Sequence, residues 1–222
     1  MSPSPACSVI CRPGDCELGR AEAASTQIEL LVTRPQHLPF DPMSNGSATL
    51  KEAFRHNTWA TRELLTFCAQ LQPEQLSEPR SAPLAGKHGS ILETLHHLIC
   101  AEGRYLGALT GHHPAWADER APSPGLDELA SRADEAEALW MNFLSLPDDA
   151  ARKVFLDDGT YETHAAIVIA QALHHGSGHR EQICAILRDL GLDPPEVQPW
   201  DFADATGRSR WIKPTGKSTG VG

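Results

Sequence analysis

Positive charge is scarce in this sequence. Its 222 residues include 19 lysines and arginines against 29 aspartates and glutamates, a formal net charge of −10. Recognition of nucleic-acid phosphates needs a basic surface, so we expect no nucleic-acid partner. No apolar run reaches about 18 residues, so we expect neither a transmembrane helix nor a membrane partner. The N-terminus also lacks the apolar stretch of a signal peptide, and these absences together predict a cytoplasmic protein.

The cysteines lack the paired spacing of a disulfide framework or a zinc ribbon. They form two groups, Cys7, Cys11 and Cys16 near the N-terminus, and Cys68, Cys100 and Cys184 further along the chain. The second group stands singly within apolar helical patterns, which is typical of small buried side chains. The first group could ligate a metal, but reduced thiols in a cytoplasm account for all six.

Two terminal segments differ in composition from the rest of the chain. Residues 1–46 are rich in proline and lack a long helical pattern, so we predict a disordered leader. The alternative is that translation truly starts at Met43. Residues 209–222 are polar and rich in Gly, Ser and Thr, and are predicted to be a disordered tail. The folded domain is then expected over residues 47–208.

Apolar residues recur at helical spacing in four segments of this domain. The predicted helices span about 50–71, 91–109, 124–146 and 163–190. Strands at 153–156 and 160–163 flank Asp-Asp-Gly and would form a small hairpin. These elements predict an all-α fold, a four-helix bundle with long connecting loops.

Capping residues mark the ends of these helices. Thr49 with Glu52, and Ser90 with Glu93, have the spacing of capping boxes. Ser123 would cap the third helix, with Pro124 at its first position. Gly111 and Gly191 are placed to end the second and fourth helices.

Eleven histidines are many for an acidic chain, and two of them have a spacing that is typical of metal ligands on one helix. His175 and His179 are four residues apart, so their imidazoles lie on one face of the fourth helix. Two ligands from one helix do not close a metal site. His97, within an apolar stretch of the second helix, is the best candidate for a third ligand, and His96 competes with it. Gly176 and Gly178 between the pair weaken the helix, which indicates close helix approach or room for a ligand.

Three segments of the chain carry a resemblance to a known family. They read Trp-Ala-Thr-Arg at 59–62, Leu-Glu-Thr-Leu-His-His-Leu at 92–98 and His-Gly-Ser-Gly-His-Arg-Glu-Gln-Ile at 175–183. From about residue 50 to 207 the sequence resembles the DinB/YfiT-like four-helix metalloproteins. The resemblance implies that His97, His175 and His179 bind one divalent metal, with water completing the coordination. The family pattern favours His97 over His96 because Glu102 follows five residues later.

The resemblance also implies a class of chemistry. A metal held by three neutral imidazoles can deprotonate a coordinated thiol. Relatives in this superfamily include thiol S-transferases that use bacillithiol-type thiols and a mycothiol-dependent isomerase. We therefore predict a metal-dependent thiol transferase whose partners are a low-molecular-weight thiol and a small electrophile. A non-enzymatic metal-binding stress-response protein and a metal-dependent hydrolase are the alternatives.

Several details of this prediction stay open. The metal would be zinc, nickel, iron or manganese, because imidazole suits several divalent ions. Two roles are open for Arg180. Its guanidinium could form two hydrogen bonds to a substrate carboxylate, or it could form an ion pair with Glu93 or Glu181. No catalytic residue is assigned. A homodimer is compatible with this interpretation.

Overall fold

The computed structural model of the chain describes residues 42–80, 89–147, 149–157 and 159–212. Most of the predicted disordered leader and tail, residues 1–41 and 213–222, lies outside these residues, but residues 42–46 of the predicted leader are helical. The helices are α1 (Pro42–Cys68), α2 (Pro73–Ser77), α3 (Ile91–Thr110), α4 (Leu126–Phe143), α5 (Ala165–Asp189) and α6 (Pro199–Ala205). Strands β1 (Lys153–Leu156) and β2 (Tyr161–His164) stand between α4 and α5.

The four long helices form the predicted all-α bundle. Helix α3 packs on α4 and α5, and α1 packs on the same two helices. The order around the bundle is therefore α1, α4, α3 and α5, with α1 and α3 on one diagonal. This arrangement lets side chains from α1, α3 and α5 meet near the bundle axis.

Apolar stripes on these helices fill the core. At one end Phe54 of α1 stacks on Trp140 of α4, with ring centroids 4.0 Å apart. At the other end the buried residues include Leu95 of α3, Leu129 of α4 and Ile183 of α5. Burying such side chains contributes roughly 1.5–3 kcal/mol each. The prediction for the second cysteine group is confirmed, because Cys68, Cys100 and Cys184 are buried free thiols.

Three predicted helix ends are confirmed. The Ser90 hydroxyl accepts a hydrogen bond from the backbone N–H of Glu93 at 3.2 Å. Gly111 follows α3 with φ +77°, a left-handed conformation that glycine adopts without a steric penalty. Gly191 has φ +75° just beyond α5. These signals are local to the chain, which explains why they could be predicted.

Two predicted helix starts are wrong. Helix α1 begins at Pro42 rather than near residue 50, so Thr49 lies inside the helix and does not cap it. Helix α4 begins at Leu126 with Gly125 as its N-cap. The predicted cap, Ser123, instead brings its hydroxyl to 3.2 Å from Nδ1 of His96. The Ser123 side chain thus makes a tertiary contact and does not cap α4.

The predicted hairpin is present, with its second strand one residue later than expected. The strands pair antiparallel, from Lys153 opposite His164 to Leu156 opposite Tyr161. Val154 and Leu156 are buried against the bundle. Helix α5 follows β2 directly, so the hairpin lies beside the first turns of the helix that carries the histidine pair. In the described residues, none of the helices has the length and apolar character needed to cross a membrane.

Candidate metal centre

Three imidazole rings converge where α3 faces α5. His175 and His179 lie one turn apart on α5, with ring centroids 4.3 Å apart. The ring of His97 on α3 lies 4.8 Å from that of His175 and 4.6 Å from that of His179. One ring nitrogen from each residue lies within 4.8 Å of the others. His97 and His175 are only 5% and 7% exposed, so the cluster sits inside the bundle.

The other histidines near the cluster in sequence or in the fold, including the competing His96, lie apart from it. His96 is also buried, but its Nδ1 lies 3.2 Å from Ser123 in the loop before α4, away from the cluster. His174 is exposed. His56 contacts the carbonyl of Val197, and His164 is the N-cap of α5. The placements of His96 and His174 follow from helical geometry, since a residue next to a cluster histidine in sequence lies about 100° away around the helix axis.

A carboxylate that was not predicted from the sequence lies behind His97. Oε1 of Glu119 is 2.5 Å from Nδ1 of His97, and its Oε2 is 2.5 Å from Nη1 of Arg104. Burial alone would raise the pKa of Glu119, but hydrogen bonds from His97 and Arg104 outweigh burial and hold that pKa well below its usual range. Glu119 is therefore a charged acceptor that orients His97.

Glycines on α3 allow the loop bearing Glu119 to lie close. A Cβ on Gly103 would fall 2.7 Å from the Trp116 ring, and one on Gly107 would overlap the His113 ring. Both glycines therefore face the loop between α3 and α4. Because Gly103 and Gly107 have no side chain, the loop approaches α3 closely enough for Glu119 to reach His97. Glu119 has no sequence spacing relative to the histidines that would have revealed it.

The hydrogen bonds around the rings fit a divalent cation. A carboxylate only accepts, so the proton of His97 sits on Nδ1 and leaves a lone pair on Nε2. Oε1 of Gln182 lies 2.7 Å from Nδ1 of His179 and has the same effect there. Nε2 of His97 lies 2.9 Å from Nε2 of His175. Neutral imidazoles with converging lone pairs are the donor set that divalent transition metals prefer.

Burial keeps His175 neutral. Burial, followed by the nearby His179 and His97, lowers its pKa from 6.5 to about 2. In the unfolded chain the ordinary value of 6.5 applies, so below that pH the unfolded state takes up a proton that the folded state does not. His175 therefore makes the metal-free protein less stable as the pH falls below about 6.5.

This effect can be measured by urea unfolding with a chelator present. Relative to His175→Asn, the free energy of unfolding of the wild type should fall by about 2 kcal/mol between about pH 7 and pH 5. The exposed His112→Asn variant should track the wild type at every pH. A wild-type minus His175→Asn difference that is constant with pH would show that the folded state does not lower the pKa of His175.

A buried polar network lies beside the cluster, between α1, α3 and α5. Nδ2 of Asn57 donates to Glu102 at 2.8 Å, and its Oδ1 accepts from Nη1 of Arg180 at 2.8 Å. Arg180 also contacts Thr61 and Ser177. Burial raises the pKa of Glu102, and the hydrogen bond from Asn57 opposes this. The side chain of Arg180 thus ties α5 to α1, a role that neither sequence interpretation anticipated.

The two glycines between the histidines have different roles. A Cβ on Gly176 would lie 2.5 Å from Oδ1 of Asn57 and 3.0 Å from Nη1 of Arg180, whereas one on Gly178 meets nothing within 4 Å. Close helix approach, one of the two predicted reasons, therefore applies to Gly176 only. Asn57 is held by Glu102 and Arg180 and has little freedom to move aside.

Alanine substitutions at these glycines should have opposite effects. Gly176→Ala should destabilise the protein by about 1–3 kcal/mol through overpacking. Gly178→Ala should stabilise it by up to about 1 kcal/mol, because alanine is the better helix former. Chemical unfolding of both variants makes the comparison. Equal effects of the two substitutions on the free energy of unfolding would mean that Asn57 of α1 does not limit the space at Gly176.

Fold and site together define a helical-bundle protein whose three-histidine cluster could hold one metal ion. The sequence profile of the DinB family matches residues 43–213, so the chain belongs to the DinB family. A search of curated proteins found no match.

Proposed function

We propose that this protein binds one divalent metal ion through His97, His175 and His179 and uses it to transfer a small thiol to an electrophile. The observation that carries the proposal is the convergence of three ring nitrogens within 4.8 Å. The contacts of Glu119 and Gln182 with the opposite ring nitrogens support it, because they leave Nε2 of His97 and of His179 available.

Three protein ligands are typical of catalytic metal sites, which keep a coordination position for water or substrate. When bound, the cation would supply a Lewis acid that lowers the pKa of a thiol. The neutral imidazoles leave the positive charge of the cation undiminished, and Glu119 and Gln182 hold two of the rings in place. The thiol loses its proton to solvent, and its sulfur forms a C–S bond with the electrophilic carbon. The leaving group departs with the bonding electron pair.

The metal we propose is zinc, nickel, iron or manganese, and the thiol is of low molecular weight. We place the reaction in the cytoplasm, where such thiols are kept reduced. The homodimer and the lack of nucleic-acid and membrane partners stay predictions.

A turnover screen tests this function. Metal-loaded protein is incubated with bacillithiol, mycothiol or glutathione and a chromogenic aryl halide, and thioether formation is followed. We expect turnover with one of these thiols that is lost with a chelator and in His179→Ala. A fully loaded protein that forms no thioether would favour a non-enzymatic metal-binding role. Hydrolysis of an ester without any thiol would favour the hydrolase.

A further inference from the structure

A cavity of about 70 Å³ opens between the hairpin and the first turns of α5. Its walls include Tyr105 of α3, Tyr161 and Thr163 of β2, and Ile167, Val168 and Gln171 of α5. Tyr161 and Thr163 share one face of β2 because side chains alternate along a strand. The mouth of the cavity is apolar, since Tyr161 is 46% exposed and Ile167 is 57% exposed.

The inner end of this cavity adjoins the histidine cluster. The ring of Tyr105 meets that of His175 edge-on, with centroids 5.7 Å apart. Gln171 and Val168 precede His175 by one and two turns on the same face of α5. The rise of an α-helix places them roughly 6 and 10 Å from His175 along the axis. The cavity therefore lies next to the cluster along α5, and Tyr105 is the side chain that borders both.

We propose that this cavity is the specificity pocket of the centre and takes a short apolar group of the substrate. This inference rests on the proposed function, because it places the reactive end of the substrate at the three histidines. An apolar cavity of about 150 Å³ accommodates benzene. The cavity beside the hairpin has about half that volume, so it suits an aliphatic group of roughly two to four carbons. Apolar walls beside a few convergent polar groups are typical of small-molecule sites.

A series of hydroxamates from acetohydroxamate to octanohydroxamate tests the pocket. The hydroxamate head binds metal, and each member lengthens the alkyl tail by one methylene. Binding to the zinc-loaded full chain is measured by calorimetry. Affinity should change little until the tail spans roughly 6 Å, then rise about fourfold per methylene, and level off when the cavity is full.

Two leucine variants provide the matched comparison. Thr163→Leu fills the cavity, whereas Glu162→Leu adds an apolar side chain on the opposite face of β2, where Glu162 is exposed. We expect Thr163→Leu to abolish the increase with chain length and to keep the wild-type affinity for acetohydroxamate. Glu162→Leu should behave like the wild type. A chain-length increase that survives in Thr163→Leu, or is absent from the wild type, overturns the proposal.

A metal-independent measurement separates failure of the pocket from failure of the proposed function. If no hydroxamate binds, the metal centre as proposed is wrong, and the pocket is then judged with n-butanol and metal-free protein. Methyl NMR shifts at Ile167 and Val168 that disappear in Thr163→Leu would support an apolar binding site. No shift at either methyl group would overturn it.

Discussion

Replacing His179 by alanine is expected to remove most of the bound metal, from about one equivalent per chain to a small fraction of one. Its ring is one of three that converge, and two imidazoles alone leave a divalent cation short of protein ligands. Elemental analysis after dialysis measures the loss. The same result is expected for His97→Ala and His175→Ala.

His112→Ala is the control, because His112 is exposed in the loop after α3. It should retain the wild-type metal content. A folded His179→Ala protein with a full equivalent of metal would show that the cluster is not the metal site. Circular dichroism of each variant establishes that it is folded.

Glu119→Gln should weaken metal binding by about 10- to 100-fold, the usual effect of removing a hydrogen-bonded carboxylate behind a ligating histidine. The substitution preserves size but removes the negative charge that His97 and Arg104 share. The amide oxygen of glutamine can still accept from Nδ1 of His97, so the expected loss comes from the missing negative charge behind the ring. Competition with a chromogenic chelator measures the dissociation constant.

Glu128→Gln provides a matched control for this variant. Glu128 also pairs with an arginine, Arg132, at 2.8 Å, but the Glu128 side chain is 55% exposed. Its substitution should leave metal affinity unchanged, because the carboxylate of Glu128 pairs with Arg132 and not with a histidine of the cluster. Equal affinities of Glu119→Gln and wild type would show that the negative charge of Glu119 does not strengthen metal binding. Thermal unfolding of the metal-free variant separates positioning from a general loss of stability.

Local patterns in the chain were sufficient to predict the four helices, several of their ends and the histidine pair of α5, while the family resemblance favoured His97 over His96 as the third member of the cluster. The i, i+4 spacing of His175 and His179 is a property of one helix, so it needs no tertiary information. The apolar surroundings of His97 correctly predicted that it faces the core. The two helix starts were wrong because Ser123 contacts His96 instead of capping α4, and because α1 continues through Thr49.

Residues far apart in sequence set the surroundings of the cluster. Glu119 reaches His97 only because Gly103 and Gly107 let the loop after α3 pack closely on that helix. Asn57 likewise joins Glu102 to Arg180 only once α1, α3 and α5 are assembled. A hydrogen bond across the bundle depends on helix order and loop path, and neither leaves a periodic signal in the sequence. Spacing along one helix could therefore identify His175 and His179, and the resemblance could add His97, whereas the residues that orient the rings emerged only from packing between elements.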